Sequence, residues 1–153
     1  IKNKGLDSTC YFIINEEDIK TVIKHPCVMI GSDSVTAVRG AKTHPRLRGT
    51  FTRTLGKYVR EEKTLRLEEA IWKMTGLPAT RLNLQKKGLI KVGMDADLVA
   101  FNPDTVIDKA DFSEPFKDPE GIEYVIIDGK IVIENEMYNG KKLGKVLRRE
   151  VKK

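Results

Sequence analysis

The stretch Val28-Met29-Ile30-Gly31-Ser32-Asp33 most constrains what this chain can fold into. Three apolar residues run into Gly-Ser-Asp, and a Gly-, Thr- and Arg-rich segment follows as far as Thr50. A buried parallel strand reads this way when it carries a carboxylate to its C-terminal tip, where the loops of a βα barrel converge on one site. Asp33 can also be read as a simple cap of the next loop or helix, a common place for Asp and Ser. Pattern alone leaves both readings open.

The residues before this stretch extend the α/β reading. Tyr11-Phe12-Ile13-Ile14 is a short β-prone apolar run and predicts a buried strand. Asn15 stands at an N-cap position, and Ile19, Val22 and Ile23 form a helical stripe that ends before His25-Pro26. Strand, helix and strand make a right-handed βαβ unit with neighbouring parallel strands. Further on, Phe51, Leu55, Tyr58 and Val59 share one helical face. Leu67, Ala70, Ile71 and Met74 share another, in a helix stopped by Gly76 and Pro78, and a short turn from Pro78 to about Leu84 closes this part. The segment from Ser34 to Thr50 is long for a structural connection, which suits a role in a site.

After Leu84 the pattern becomes β. Residues 96–101 predict a strand closed by Asn102-Pro103, and residues 104–121 form an irregular connection. Tyr124-Val125-Ile126-Ile127, then Asp128-Gly129, then Lys130-Ile131-Val132-Ile133 is a strong hairpin signal, because Asp-Gly supplies the positive-φ pair of a tight turn.

Charge narrows the partners. The chain has 28 Lys or Arg against 22 acids, but residues 141–153 hold seven of those bases and one acid, Glu150, so the other residues balance at 21 of each. The basic excess is a property of the tail, which reads as a solvated terminus or a grip on nucleic acid or an acidic surface. No nucleic-acid-binding signature accompanies it. Between Ser34 and Arg60 stand seven Lys or Arg and no acid, a local positive field suited to an anionic substrate. No apolar run approaches the roughly 20 residues of a membrane span, and no signal peptide opens the chain. Its first residue is Ile rather than Met, as in a processed chain or a piece of a longer one. Cys10 and Cys27 make no disulfide framework and suit a reducing, cytoplasmic setting, with both thiols expected to be buried near strand ends.

Several motifs then converge. Met29-Ile30-Gly31-Ser32-Asp33, His44-Pro45-Arg46, Gly49-Thr50-Phe51 and residues 55–61, Leu-Gly-Lys-Tyr-Val-Arg-Glu, stand in order. They are followed by residues 73–79, Lys-Met-Thr-Gly-Leu-Pro-Ala, and by Gly93-Met94-Asp95-Ala96-Asp97-Leu98-Val99. This series resembles the N-acyl-D-amino-acid deacylases (D-aminoacylases) of the amidohydrolase superfamily, from about Tyr11 to Arg149. The resemblance implies an α/β fold: the last βαβα part of an amidohydrolase (β/α)8 barrel over residues 1–84, then part of a small antiparallel β-sandwich domain with its basic tail over residues 85–153. It further implies zinc-dependent hydrolysis of the amide C–N bond of a small-molecule N-acyl amino acid. Asp33 matches the family's aspartate beside the metal, which takes a proton from the attacking water. His44 and Arg46 match the loop motif near the site, where Arg46 suits a substrate carboxylate because its planar guanidinium can hold both oxygens. The bland alternative is that His44-Pro45-Arg46 only shapes the loop. Met29 and the stripe residues are expected in the core.

What is missing is equally informative. Such a barrel needs roughly 200 residues or more, yet only 32 precede Asp33. A catalytic zinc takes about three protein ligands, whereas the chain has two histidines, His25 and His44, and no His-x-His pair. His25 reads as structural. The family commonly has Gly after Gly-Ser-Asp, and Ser34 stands there, which questions the backbone path. The expectation is therefore a C-terminal fragment of a deacylase, inactive alone, completed by the missing N-terminal barrel portion or by self-association. A non-catalytic remnant that binds partners is the alternative, and a complete small enzyme of another class fits least.

Overall fold

A computed structural model describes residues 10–34 and 43–148. Residues 1–9, 35–42 and 149–153 lie outside the description, and with them the tip of the tail and the middle of the segment after Asp33.

Helix α1 (Glu16–Lys24) starts where Asn15 predicts: its side chain accepts the Glu17 amide, and three acids occupy the first turn against the positive end of the helix dipole. Helix α2 (Arg46–Arg53) begins inside the segment read as loop. It continues directly into a π-helical segment (Thr54–Glu61), in which the Glu62 amide donates to the Lys57 carbonyl five residues back. Helix α3 (Leu67–Met74) carries the expected stripe, and Thr75 separates it from α4 (Gly76–Arg81). Four strands follow as an antiparallel meander in sequence order: β1 (Leu98–Phe101), β2 (Ile122–Ile127), β3 (Lys130–Glu134) and β4 (Met137–Tyr138). Asp128 and Gly129 take φ of 53° and 72°, the two positive values the tight turn requires. The short β4 carries no pattern a sequence could announce.

Residues 11–14 and 28–30 are not in strands. Tyr11, Phe12, Ile13 and Ile14 are 77%, 77%, 82% and 74% exposed, and Met29 is 40% exposed rather than core. A strand exists only by pairing, and among the described residues neither segment has a ladder partner. The Ile30 amide donates instead to the Lys73 carbonyl at 3.1 Å. Both cysteines are likewise exposed and free, since the strands that would have covered them do not form.

The core joins the helices to the residues after position 85. Ile23, Leu55, Tyr58, Leu65, Ala70 and Val106 are buried together, with Phe101 and Ile122 packed against them. Val106 belongs to the irregular connection and is 1% exposed. It comes so close because Gly56 lacks a side chain: a Cβ there would meet the Val106 carbonyl oxygen at 2.7 Å. Arg60 then clasps the connection, donating to the carbonyls of Val106 and Pro103. Lys73 is 4% exposed, and its ammonium donates to the carbonyls of His25 and Val28, 3.1 Å to the latter.

The five described bases of the acid-free segment are all matched within the fold. Arg46 pairs with Asp33, Arg48 with Asp118, Arg53 with Asp108, Lys57 with Glu16 and Arg60 with Glu61. At these five positions the positive charge expected after Asp33 is offset by acids from elsewhere in the chain, while Arg39 and Lys42 lie outside the described residues.

Two outcomes follow. Replacing Lys73 with Met removes both carbonyl bonds while keeping the apolar stem, and lowers stability by about 1–3 kcal/mol in urea titration. Burial first, and its bond to Glu16 (2.8 Å) second, push the Tyr58 hydroxyl up to about 12. A folded pKa above the ordinary value near 10 gives stability that is complete below about 10 and lost as pH rises towards about 12. Tyr58→Phe flattens that alkaline loss, read as urea midpoints between pH 8 and 12.

Candidate active site

Asp33 sits just beyond the segment that Lys73 pins, in a left-handed backbone conformation (φ 46°). That region costs a residue with a Cβ about 1 kcal/mol or more and is sustained only where the surroundings impose it. Positive φ therefore falls on the aspartate itself. The Ser32 hydroxyl accepts the Ser34 amide (3.3 Å) and bonds the Ser34 hydroxyl (3.0 Å), which closes a small turn around Asp33. The carboxylate is 87% exposed, and its Oδ2 lies 2.9 Å from Nη2 of Arg46.

Arg46 is the first residue of α2, so its position is set by the start of that helix. Pro45 is the N-cap and provides no side-chain acceptor. His44 supplies one instead: its Nδ1 accepts the Arg46 amide at 3.1 Å, satisfying a donor that the helix leaves open. This bond puts the proton of neutral His44 on Nε2. Burial, aided by the Arg46 charge, lowers the His44 pKa. The Arg46 Nε is buried with no hydrogen-bond partner. A buried donor left without an acceptor costs free energy, so this nitrogen is a local cost of the guanidinium's placement.

Arg46 thus meets the Asp33 carboxylate through its side chain and His44 through its amide. Reading the sequence missed the aromatic wall beside them. Phe112 of the 102–121 connection meets the His44 ring edge-on at 5.0 Å and lies 4.7 Å from the Phe12 ring. A signal was present in Asp111-Phe112-Ser113-Glu114. The Asp111 carboxylate accepts the Ser113 amide (2.8 Å), the Ser113 hydroxyl (2.6 Å) and the Glu114 amide (2.7 Å), and these bonds hold its pKa below the ordinary value.

The Gly-Met-Asp-Ala-Asp motif serves the fold. Lys87 pairs with Asp95 (2.9 Å) and with Asp97, and Asp97 also accepts the Asp128 amide (2.8 Å), seating the hairpin turn. Lys87 and that amide together lower the Asp97 pKa. His25 is structural too: its Nδ1 accepts the Cys27 amide at 3.3 Å.

Among the described residues, no three or more His, Cys, Asp or Glu side chains are grouped to hold a metal ion. A catalytic zinc takes about three protein ligands, so the described residues alone do not fit a complete metal centre. Asp33 offers one carboxylate.

With this geometry in place, comparison with known proteins gives the class. The amidohydrolase family model matches residues 7–133, and the chain belongs to that family. It is 41% identical over 140 residues to the N-acyl-D-glutamate deacylase of Alcaligenes xylosoxydans xylosoxydans, covering 92% of this chain and 28% of that one. The D-aminoacylase of the same organism is 41% identical over 139 residues, covering 91% and 28%. A crystal structure of D-aminoacylase matches with a TM-score of 0.85 at 41% identity, covering 91% of this chain and 29% of that one. The N-acyl-D-glutamate deacylase of Bordetella bronchiseptica, solved with zinc and a phosphonate mimic of the tetrahedral intermediate, matches at 0.81 and 42% identity, covering 90% and 28%. The α/β helices and small antiparallel sheet are thus those of a deacylase-like amidohydrolase. The chain spans under a third of the length of these relatives. No described helix is long and apolar enough to cross a membrane.

The strained aspartate yields a stability prediction. Asp33→Gly relieves the positive φ and gives up only an exposed ion pair, worth at most about 1 kcal/mol. Its thermal midpoint should equal or exceed that of the parent chain, and a clear fall would mean the conformation is not strained.

Proposed function

We propose that this chain is the C-terminal portion of a zinc-dependent N-acyl-D-amino-acid deacylase. Residues 1–84 form the end of its (β/α)8 barrel, and residues 85–153 form part of the small β-sandwich domain. The substrate is a small N-acyl amino acid, and the zinc ligands beyond Asp33 come from protein outside this chain. The observation that carries the reading is the 2.9 Å pair of Asp33 and Arg46, in a chain 41% identical to deacylases. It sets a proton acceptor beside a cation suited to a carboxylate.

In the reaction, water adds its oxygen to the acyl carbon and gives a proton to the Asp33 carboxylate. Asp33 returns that proton to the amine nitrogen as the C–N bond breaks. Arg46, which meets Asp33 through Nη2, receives the substrate carboxylate with donors that Asp33 does not use. His44 takes part by fixing the start of the helix that carries Arg46. Four exposed apolar residues at 11–14 support docking against the missing barrel portion, with self-association as the substitute when that portion is absent. Two free cysteines suit a cytoplasmic setting.

The missing grouping of metal ligands among the described residues favours a second reading, a non-catalytic module that keeps the fold as a partner-binding surface. Activity separates the two. The chain alone should not hydrolyse N-acetyl-D-amino acids, and addition of the remaining portion of a homologous deacylase should restore turnover. In that assembly Asp33→Ala should lower kcat by roughly 10²–10⁴-fold, and Arg46→Lys should raise KM by roughly tenfold or more. Full activity in the Asp33 variant, or no turnover in any complemented form, sinks the deacylase reading.

A further inference from the structure

We propose that Phe112 is a positioning residue for the carboxylate subsite, through which the connection between β1 and β2 takes part in substrate recognition. The inference rests on the reading of Arg46 as the carboxylate-binding residue. The ring of Phe112 links the connection to the site. The Asp111 carboxylate gathers the Ser113 amide and hydroxyl and the Glu114 amide, which fixes the backbone on either side of Phe112. Pro115 is buried just beyond. The Phe112 ring, backed by Phe12 at 4.7 Å, meets the His44 ring edge-on at 5.0 Å. His44 in turn accepts the Arg46 amide through Nδ1.

Each link restrains the next. An edge-on aromatic contact fixes the plane of the imidazole, whose χ2 is otherwise soft. The plane decides whether Nδ1 can meet the amide of the first residue of α2. That amide belongs to Arg46, whose guanidinium holds Asp33 through Nη2. Phe112 acts on the site through the His44 ring. Its removal should therefore loosen binding more than turnover.

Two measurements test this. The ring-nitrogen NMR signals of the chain report the tautomer of His44, with His25 as the only other histidine. The parent should show His44 protonated on Nε2 alone. Phe112→Ala should show a mixture of tautomers, and Phe112→Tyr, which keeps the aromatic edge, should restore the parent signal. In the complemented enzyme, Phe112→Ala should raise KM for an N-acetyl-D-amino acid about three- to tenfold while kcat changes by less than about twofold. Phe112→Leu gives a variant of similar bulk should the alanine variant fail to fold. An unchanged tautomer with an unchanged KM, or an equal loss of kcat, overturns the proposal. Failure of the underlying reading looks different: Arg46→Lys would then leave KM unchanged while the tautomer still responds to Phe112.

Discussion

The bonds from the Lys73 ammonium to the carbonyls of His25 and Val28 hold this structure's site in place. Residues 28–30 have no sheet to lie in, yet they run to Asp33 along a defined path. That path is set from α3: the Lys73 side chain takes two carbonyls and its own carbonyl takes the Ile30 amide. A single residue thereby replaces the hydrogen bonds a neighbouring strand would supply. The buried ammonium is tolerated because carbonyl acceptors surround it.

From that anchor the site follows by local geometry. The serines on either side of Asp33 close the turn that presents it, and α2 starts so that Arg46 meets its carboxylate. Among the described residues, the other bases of the segment are occupied by Asp118, Asp108, Glu16 and Glu61. In the proposed function, recognition of the substrate carboxylate rests on the geometry of the Arg46 guanidinium.

Helix α1, helix α3 and the Asp128-Gly129 hairpin were legible because each is specified within a few residues: a cap, a stripe, a turn pair. The motif reading singled out Asp33, His44 and Arg46, and the structure places Arg46 in contact with the other two. Strands at 11–14 and 28–30 were not legible as they stand, since apolar composition tells which residues favour burial but not whether a partner strand is there. Lys73 gave no signal, because a lysine in a helix reads as solvated until the carbonyls beneath it are known. Phe112 was hidden for a similar reason. Its neighbours His44 and Phe12 lie far back along the chain, and no local pattern encodes a contact at that separation.

The close approach of Gly56 to Val106 also bears on how the molecule comes to exist. The Arg60 bonds that seal it join residues 43 and 46 positions apart. Closing a loop of that size costs entropy before any contact repays it, and chains rich in such contacts fold slowly. Five of the six buried core residues precede position 85, and Val106 completes the cluster from a segment made later during synthesis. A ribosome-bound chain ending short of the connection would leave open to chaperones the apolar face that Val106 covers.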